Sequence, residues 1–84
     1  MGYVIEVVPK AEKEYLKLPN SIQSRIKQNI ISLEDNPRPV GSRKLRESSF
    51  YRIRTGDYRI VYSVHDDTRI VKILSIAHRR EVYR

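Results

Sequence analysis

Three segments carry residue types suited to phosphate chemistry: Tyr51-Arg52-Ile53-Arg54, Tyr58-Arg59-Ile60-Val61-Tyr62 and His78-Arg79-Arg80-Glu81-Val82-Tyr83-Arg84. In the first two, arginine alternates with apolar residues, the two-residue period of a half-buried strand. One face of such a strand is apolar and the other carries guanidinium groups. A guanidinium stays charged and grips phosphate oxygens two at a time. In the third segment, Arg79 and Tyr83 share a side whether the chain is helical or extended. His78 precedes them, and an imidazole can move a proton near neutral pH. A surface or capping histidine is the plainer reading of the same residue. The arginine face, read plainly, is a solvated strand surface, but the preference for Arg over Lys and the convergence on one hairpin point to a polyanion.

Other chemistries find little support. With two histidines far apart and no cysteine, no metal-ligand spacing exists and no cofactor is called for. The three glycines, Gly2, Gly41 and Gly56, form no phosphate-cradling loop. There is no G-x-S-x-G elbow. His65, beside Asp66-Asp67, reads as structural or exposed. Tyr51, Tyr58 and Tyr62 read as core aromatics. Phe50 shares parity with Arg52, so a base could stack on it.

Charge sharpens the choice of ligand. The net charge is +7. Residues 1–42 hold six Lys/Arg against five Asp/Glu, a net +1, and residues 43–84 hold eleven against five, a net +6. The first half has four Lys and two Arg; the second has two Lys and nine Arg. Nucleic acid is the leading partner class, ahead of an acidic protein. No stretch is both basic and helically amphipathic with large apolar residues, so a membrane surface is not expected. A chain of 84 residues is expected to form one domain, 1–84. Its lack of cysteine fits a reducing cytoplasm. Met1–Glu6 has neither the basic start nor the apolar run of a secretory signal.

The elements that must position these residues follow from pattern. Tyr3–Val8 reads as a strand, closed by Pro9. Ala11, Tyr15 and Leu18 recur at helical spacing, which predicts a helix over Lys10–Leu18 that Pro19 breaks. Asn20 is the expected N-cap of a second helix, Ser21–Asp35, with Gln23 as its capping-box partner. Ile22, Ile26, Ile30 and Leu33 form its apolar stripe. Asn36-Pro37-Arg38-Pro39 stops it, and Val40–Ser49 reads as loop. Phe50–Thr55 and Tyr58–His65 are strands of a hairpin turning at Gly56. Asp66-Asp67-Thr68 turns the chain into a fourth strand, Arg69–Ile76, apolar on both faces and so central. A short tail, His78–Arg84, follows. Either two-residue hairpin loop, Thr55-Gly56 or Gly56-Asp57, puts Arg52, Arg54 and Arg59 on one face. Tyr51, Ile53, Tyr58, Ile60 and Tyr62 then share the other, under the helices. Three like charges in one place repel, and a polyanion would relieve them.

The ordered set of Ala11 to Leu18-Pro19, Asn36-Pro37-Arg38-Pro39, Lys44-Leu45, Tyr51-Arg52-Ile53-Arg54, Gly56-Asp57-Tyr58-Arg59-Ile60-Val61-Tyr62 and His78-Arg79-Arg80-Glu81-Val82-Tyr83 resembles the RelE/ParE superfamily of bacterial toxins. Within it the likeness is to RelE-type mRNA interferases, and it spans nearly the whole chain. The resemblance implies an α+β fold: two N-terminal helices on a twisted, mainly antiparallel four-stranded sheet in the order β-α-α-β-β-β, the first strand at the edge, with a short C-terminal tail. It implies metal-independent cleavage of mRNA in the ribosomal A site, by attack of the 2′-hydroxyl to leave a 2′,3′-cyclic phosphate. It implies a cognate antitoxin that covers the toxin in a hetero-oligomer. Arg52 and Arg54 match the basic positions near the 2′-hydroxyl, and Arg59 matches the residue holding the scissile phosphate. Arg79 matches the arginine near the leaving oxygen, and Tyr83 the tyrosine that stacks on or orients the nucleotide. Lys44, Arg46 and Arg80 complete the expected RNA-binding set. The best-known members have lysines where Arg52 and Arg54 stand. An arginine effectively cannot give up its proton, which leaves His78, Tyr83 and, more remotely, Glu47 as titratable candidates. ParE-type members instead inhibit DNA gyrase by binding. A basic RNA-binding module without chemistry is a third reading.

Overall fold

A computed structural model of the chain describes residues 2–46 and 48–78. The element order is β1 (Val4–Val7), α1 (Pro9–Leu16), α2 (Asn20–Ser32), β2 (Arg43–Lys44), β3 (Phe50–Thr55), β4 (Tyr58–His65) and β5 (Ile70–His78). The strands form one sheet in the order β1-β5-β4-β3-β2. β1 runs parallel to β5 at one edge; every other pairing is antiparallel. The expectation of four strands is corrected to five. The added strand, β2, is two residues long, too short to show any periodicity in sequence. It exists because β3 offers it an edge, Arg43 standing opposite Arg52 and Lys44 opposite Tyr51.

Both helices begin at prolines. Pro9 occupies the first turn of α1, where its missing N–H costs nothing. At α2 the expected Asn20 cap is corrected: Pro19 stands there, extended at φ −56° and ψ 149°, and its carbonyl accepts the Gln23 N–H at 2.9 Å. Gln23 is not a capping-box partner. Its side-chain amide donates to the carbonyls of Tyr15 (3.1 Å) and Leu18 (3.0 Å), tying the end of α1 to the start of α2. α2 stops at Ser32, before the expected Asp35, and a turn covers Leu33–Asp35.

The two helices cover one face of the sheet. Ala11, Ile26 and Leu33 from the helical segment meet Ile53, Ile60, Tyr62, Val71, Ile73 and Ile76 in a closed core. Burial of this apolar surface is the main source of stability. Ile22 and Ile30 of the expected stripe pack at its margin. The hairpin loop is Gly56-Asp57, since Thr55 pairs with Tyr58 and Arg54 with Arg59. Gly56 takes φ +58°, a left-handed conformation that glycine enters without a Cβ clash.

β5 explains its own pattern. It lies between β1 and β4, and its register against β4 slips between Val61 and Tyr62. The slip leaves Leu74 unmatched, so the covered positions change from odd (Val71, Ile73) to even (Ile76, and His78 in register with Tyr58). Apolar residues on both parities thus record a bulge as well as a central strand.

Candidate functional site

The uncovered face of the sheet is a grid of rows set by strand register. Arg54 stands opposite Arg59, and Ala77 continues that row on β5. One row on, Arg43 stands opposite Arg52, followed by Val61 and Ser75. Beyond it come Phe50, Ser63, Lys72 and Glu6. Directly opposed residues in a sheet have Cβ atoms about 4.5–5.5 Å apart, and residues two apart along a strand about 6.8 Å. Four guanidinium groups therefore rise from two adjacent rows of β2, β3 and β4. Arg43 and Arg54 are exposed; Arg52 and Arg59 are half-buried. Arg43 escapes a reading of the sequence, because only pairing of β2 with β3 brings it onto this face.

Such a patch can bind and polarise phosphates. Fixed cations beside a low-dielectric sheet are already organised where negative charge would develop. They cannot serve as bases, since arginine keeps its proton.

The other expected site residues fall in three places. Lys44, at the end of β2, and Arg46, in the segment leading to β3, are exposed around an open depression of about 610 Å³ lined also by Leu45, Ser48 and Ser49. His78 ends β5 on the helix-covered side. Its ring meets Tyr58 edge-on, with centroids 5.1 Å apart, in a recess shared with Glu14, Lys17, Leu18 and Ile76. The sheet thus separates His78 from the arginine rows. The alternation that sends Arg59 and Ala77 one way sends Tyr58 and His78 the other. Arg79, Arg80, Tyr83 and Glu47 lie outside the described residues.

One carboxylate holds the end of β5 in place. β1 stops pairing at Val7, opposite Ile73. The Ile76 N–H instead donates to Glu14 Oε1 of α1 at 2.8 Å, and Lys10 Nζ holds Glu14 Oε2 at 2.9 Å. A side chain there takes the place of a missing strand, two residues before His78.

A second basic cluster lies at the β4–β5 turn. The guanidinium of Arg38 donates to both carboxylate oxygens of Asp66, at 3.3 and 2.9 Å, and its Nε donates to the Tyr51 hydroxyl at 2.9 Å. Tyr3 donates to Asp66 at 2.6 Å, and Arg69 lies 4.8 Å over the Tyr3 ring. Asp66 raises the pKa of Arg38, with the Tyr51 hydroxyl adding to the effect. In return Arg38, and then Tyr3, hold the Asp66 carboxyl below its ordinary range. Beside them Tyr62 gives its buried hydroxyl to the Pro37 carbonyl at 2.7 Å, and burial pushes its pKa up. Asn36-Pro37-Arg38-Pro39 is therefore a clamp as well as a helix stop. Among the described residues no three His, Cys, Asp or Glu side chains gather as metal ligands. No helix among them is long and apolar enough to cross a membrane.

Known proteins resemble this chain in sequence and fold. Residues 5–83 match the family described as ParE toxin of type II toxin-antitoxin system, parDE. The mRNA interferase toxin RelE of Escherichia coli K12 is 30% identical over 88 aligned positions, covering 99% of this chain and 92% of that one. Toxin RelG of Mycobacterium tuberculosis is 30% identical over 86, covering 100% and 99%. In the crystal structure of the archaeal RelE-RelB complex from Pyrococcus horikoshii, a chain 30% identical superposes with a TM-score of 0.85, covering 94% of this chain and 97% of that one. Coverage of nearly the full length at this identity leaves one assignment: this chain belongs to the RelE/ParE family of toxins of type II toxin–antitoxin systems.

Proposed function

We propose that this protein is the toxin of a toxin–antitoxin pair and acts as an endoribonuclease on mRNA in the ribosomal A site. The observation that carries the reading is the pairing of Arg54 with Arg59, with Arg52 and Arg43 in the next row, on the face the helices leave open. The 2′-oxygen attacks the adjacent phosphorus as its proton passes to water. The bond from phosphorus to the 5′-oxygen breaks, that oxygen takes up a proton from water, and a 2′,3′-cyclic phosphate remains. Arg59 holds the scissile phosphate; Arg52 and Arg54 stabilise charge around the 2′-oxygen and the phosphorane. Arg79 serves the leaving oxygen, and Tyr83 orients the nucleotide. Lys44, Arg46 and Arg80 extend the contact with RNA. Four guanidinium groups already supply the positive charge that a metal ion would bring, so the reaction runs without one.

His78 cannot reach a 2′-hydroxyl held above Arg54 and Arg59 while its ring lies under the sheet beside Tyr58. Its part is to position the end of β5, and much of the rate comes from electrostatics and from alignment of the mRNA by the ribosome. The partner is a cognate antitoxin, by likeness to the RelE-RelB complex. A partly acidic, partly apolar segment of it would mask the basic face, with binding that weakens as salt rises. Substrate and partner both put the protein in the cytoplasm.

Primer extension on an mRNA being translated tests the reading. Cleavage within codons at the A site, cyclic phosphate ends and full activity in chelator are expected. Intact mRNA together with inhibited gyrase supercoiling would instead favour the ParE-type activity. Cleavage that chelator abolishes and a divalent ion restores would remove the metal-free mechanism.

A further inference from the structure

The described aromatic residues divide in a telling way. Tyr62 is buried in the core, and Tyr3, Tyr15, Tyr51 and Tyr58 pack against it. Phe50 does not. It is 42% exposed on the open face, in the row after Arg43 and Arg52. A single exposed apolar residue is ordinary, but this one is held in place. Its N–H donates to Ser48 Oγ at 3.1 Å, and its carbonyl accepts the Leu45 N–H at 2.8 Å. Ser48 Oγ in turn donates to the Leu45 carbonyl at 3.2 Å. The backbone carrying the ring is thus fixed from both sides, and the ring's cross-strand neighbour is the buried Ser63.

The spacing matters as much as the exposure. Phe50, Arg52 and Arg54 rise from the same face at steps of about 6.8 Å. Successive nucleotides of an extended single strand advance by a comparable step. An aromatic face next to a run of guanidinium groups combines the two features of a single-strand track: a sequence-tolerant stacking platform and charges that follow the backbone.

We infer that Phe50 is a nucleobase-stacking residue of the RNA site: an unpaired base lies on its ring while Arg52, Arg54 and Arg59 hold the phosphates that follow. The inference rests on the reading of the open face as an RNA site and adds where a base is held. The ring sets the direction of the strand along β3, with the stacked base at the Arg43–Lys44 end of the sheet and the scissile phosphate towards the Gly56 turn. Stacking favours the larger π-face of a purine, so Phe50 also biases which nucleotide is accepted there.

The test uses the whole chain and a short 2′-O-methyl single-stranded RNA, which offers no free 2′-hydroxyl for cleavage. A fluorescent 2-aminopurine, quenched on stacking, is placed at each position in turn. Wild type and Phe50→Tyr should bind within about twofold of each other and quench one position. Phe50→Leu should bind about 5- to 100-fold more weakly and lose that quench. Its affinity should keep the wild-type slope against salt, because no charge has been removed. Arg59→Lys should keep the quench. Wild-type binding and quench in Phe50→Leu would overturn the inference and leave the arginine reading standing. If wild type binds no RNA at millimolar protein, the inference falls, and cleavage on ribosomes decides the nuclease reading by itself. If Phe50→Leu weakens only binding of the antitoxin, the ring belongs to a protein interface and the inference is wrong. Stacking at Phe50 without cleavage on ribosomes would uphold the inference and remove the nuclease.

Discussion

Arginines gather at two ends of this small sheet, and the two gatherings are opposites. At the β4–β5 turn, Arg38 and Arg69 are engaged by Asp66, Tyr3 and Tyr51, and each contact ties together segments far apart in sequence. Toward the hairpin, strand register sets Arg54 against Arg59 and Arg43 against Arg52. The first arrangement places opposite charges together and holds the β1 start, the segment after α2, and β3 at the turn. The second places like charges together, which the fold alone does not require. One cluster ties distant segments of the fold together; the other gathers guanidinium groups in register on the face opposite the helices.

The largest expected effect separates the two directly. Arg59→Lys keeps the charge and loses the fork. Cleavage on ribosomes should fall about 100-fold, with the melting temperature nearly unchanged. Near-normal cleavage would mean that charge alone suffices there. Next is Glu14, which serves the end of β5 from outside both clusters. Glu14→Ala leaves the Ile76 N–H without its acceptor and should cost about 1–2 kcal/mol, whereas Glu14→Gln retains an acceptor and should recover most of it. Equal melting temperatures for the two variants would show that the contact carries no stability. In the paired region, Tyr62→Phe removes the hydroxyl bonded to the Pro37 carbonyl. A loss of about 1 kcal/mol is expected, a melting shift of roughly 4–8 °C, with cleavage per folded molecule unchanged. If cleavage fell instead, the two regions would not be independent.

Smaller effects concern protons. Asp66 has its pKa depressed in the folded state, so its contribution is present above the unfolded carboxyl value of about 3.9 and is lost as pH falls through the folded value. Asp66→Asn should therefore lower stability a little near neutrality, discounted for exposure, and converge with wild type below about pH 4, where the carboxyl is protonated anyway; equal stability of the two proteins at about pH 7 in chemical denaturation would show that exposure screens the contact completely. The smallest effect on cleavage is expected from His78→Gln. With the sheet between the ring and the arginine rows, the shape of the cleavage pH profile should stay as in wild type. A profile flattened around neutral pH would return His78 to the role of proton carrier.

Some of this was legible in the residues alone. The two-residue alternation of Tyr51–Arg54 and Tyr58–Tyr62 determined which side chains share a face, because pleating depends only on local geometry. Pro9, Pro19 and the Ile26–Leu33 spacing determined that two helices come first. What no local pattern could decide was everything that depends on a neighbour. Arg43 joins the site only because β3 offers an edge to pair with, and Phe50, marked in sequence by its parity with Arg52, stays open because no element among the described residues covers it. His78 leaves the arginines because Arg69–Ile76 read as ending short of it, whereas the strand continues through it in register with Tyr58. Arg38 looks from its surroundings like part of a breaker, yet Asp66, 28 residues away, makes it a clamp. Alternation and helical spacing are properties of a chain with itself over a few residues. Register, bulges and ion pairs are properties of segments that meet only once the core has closed.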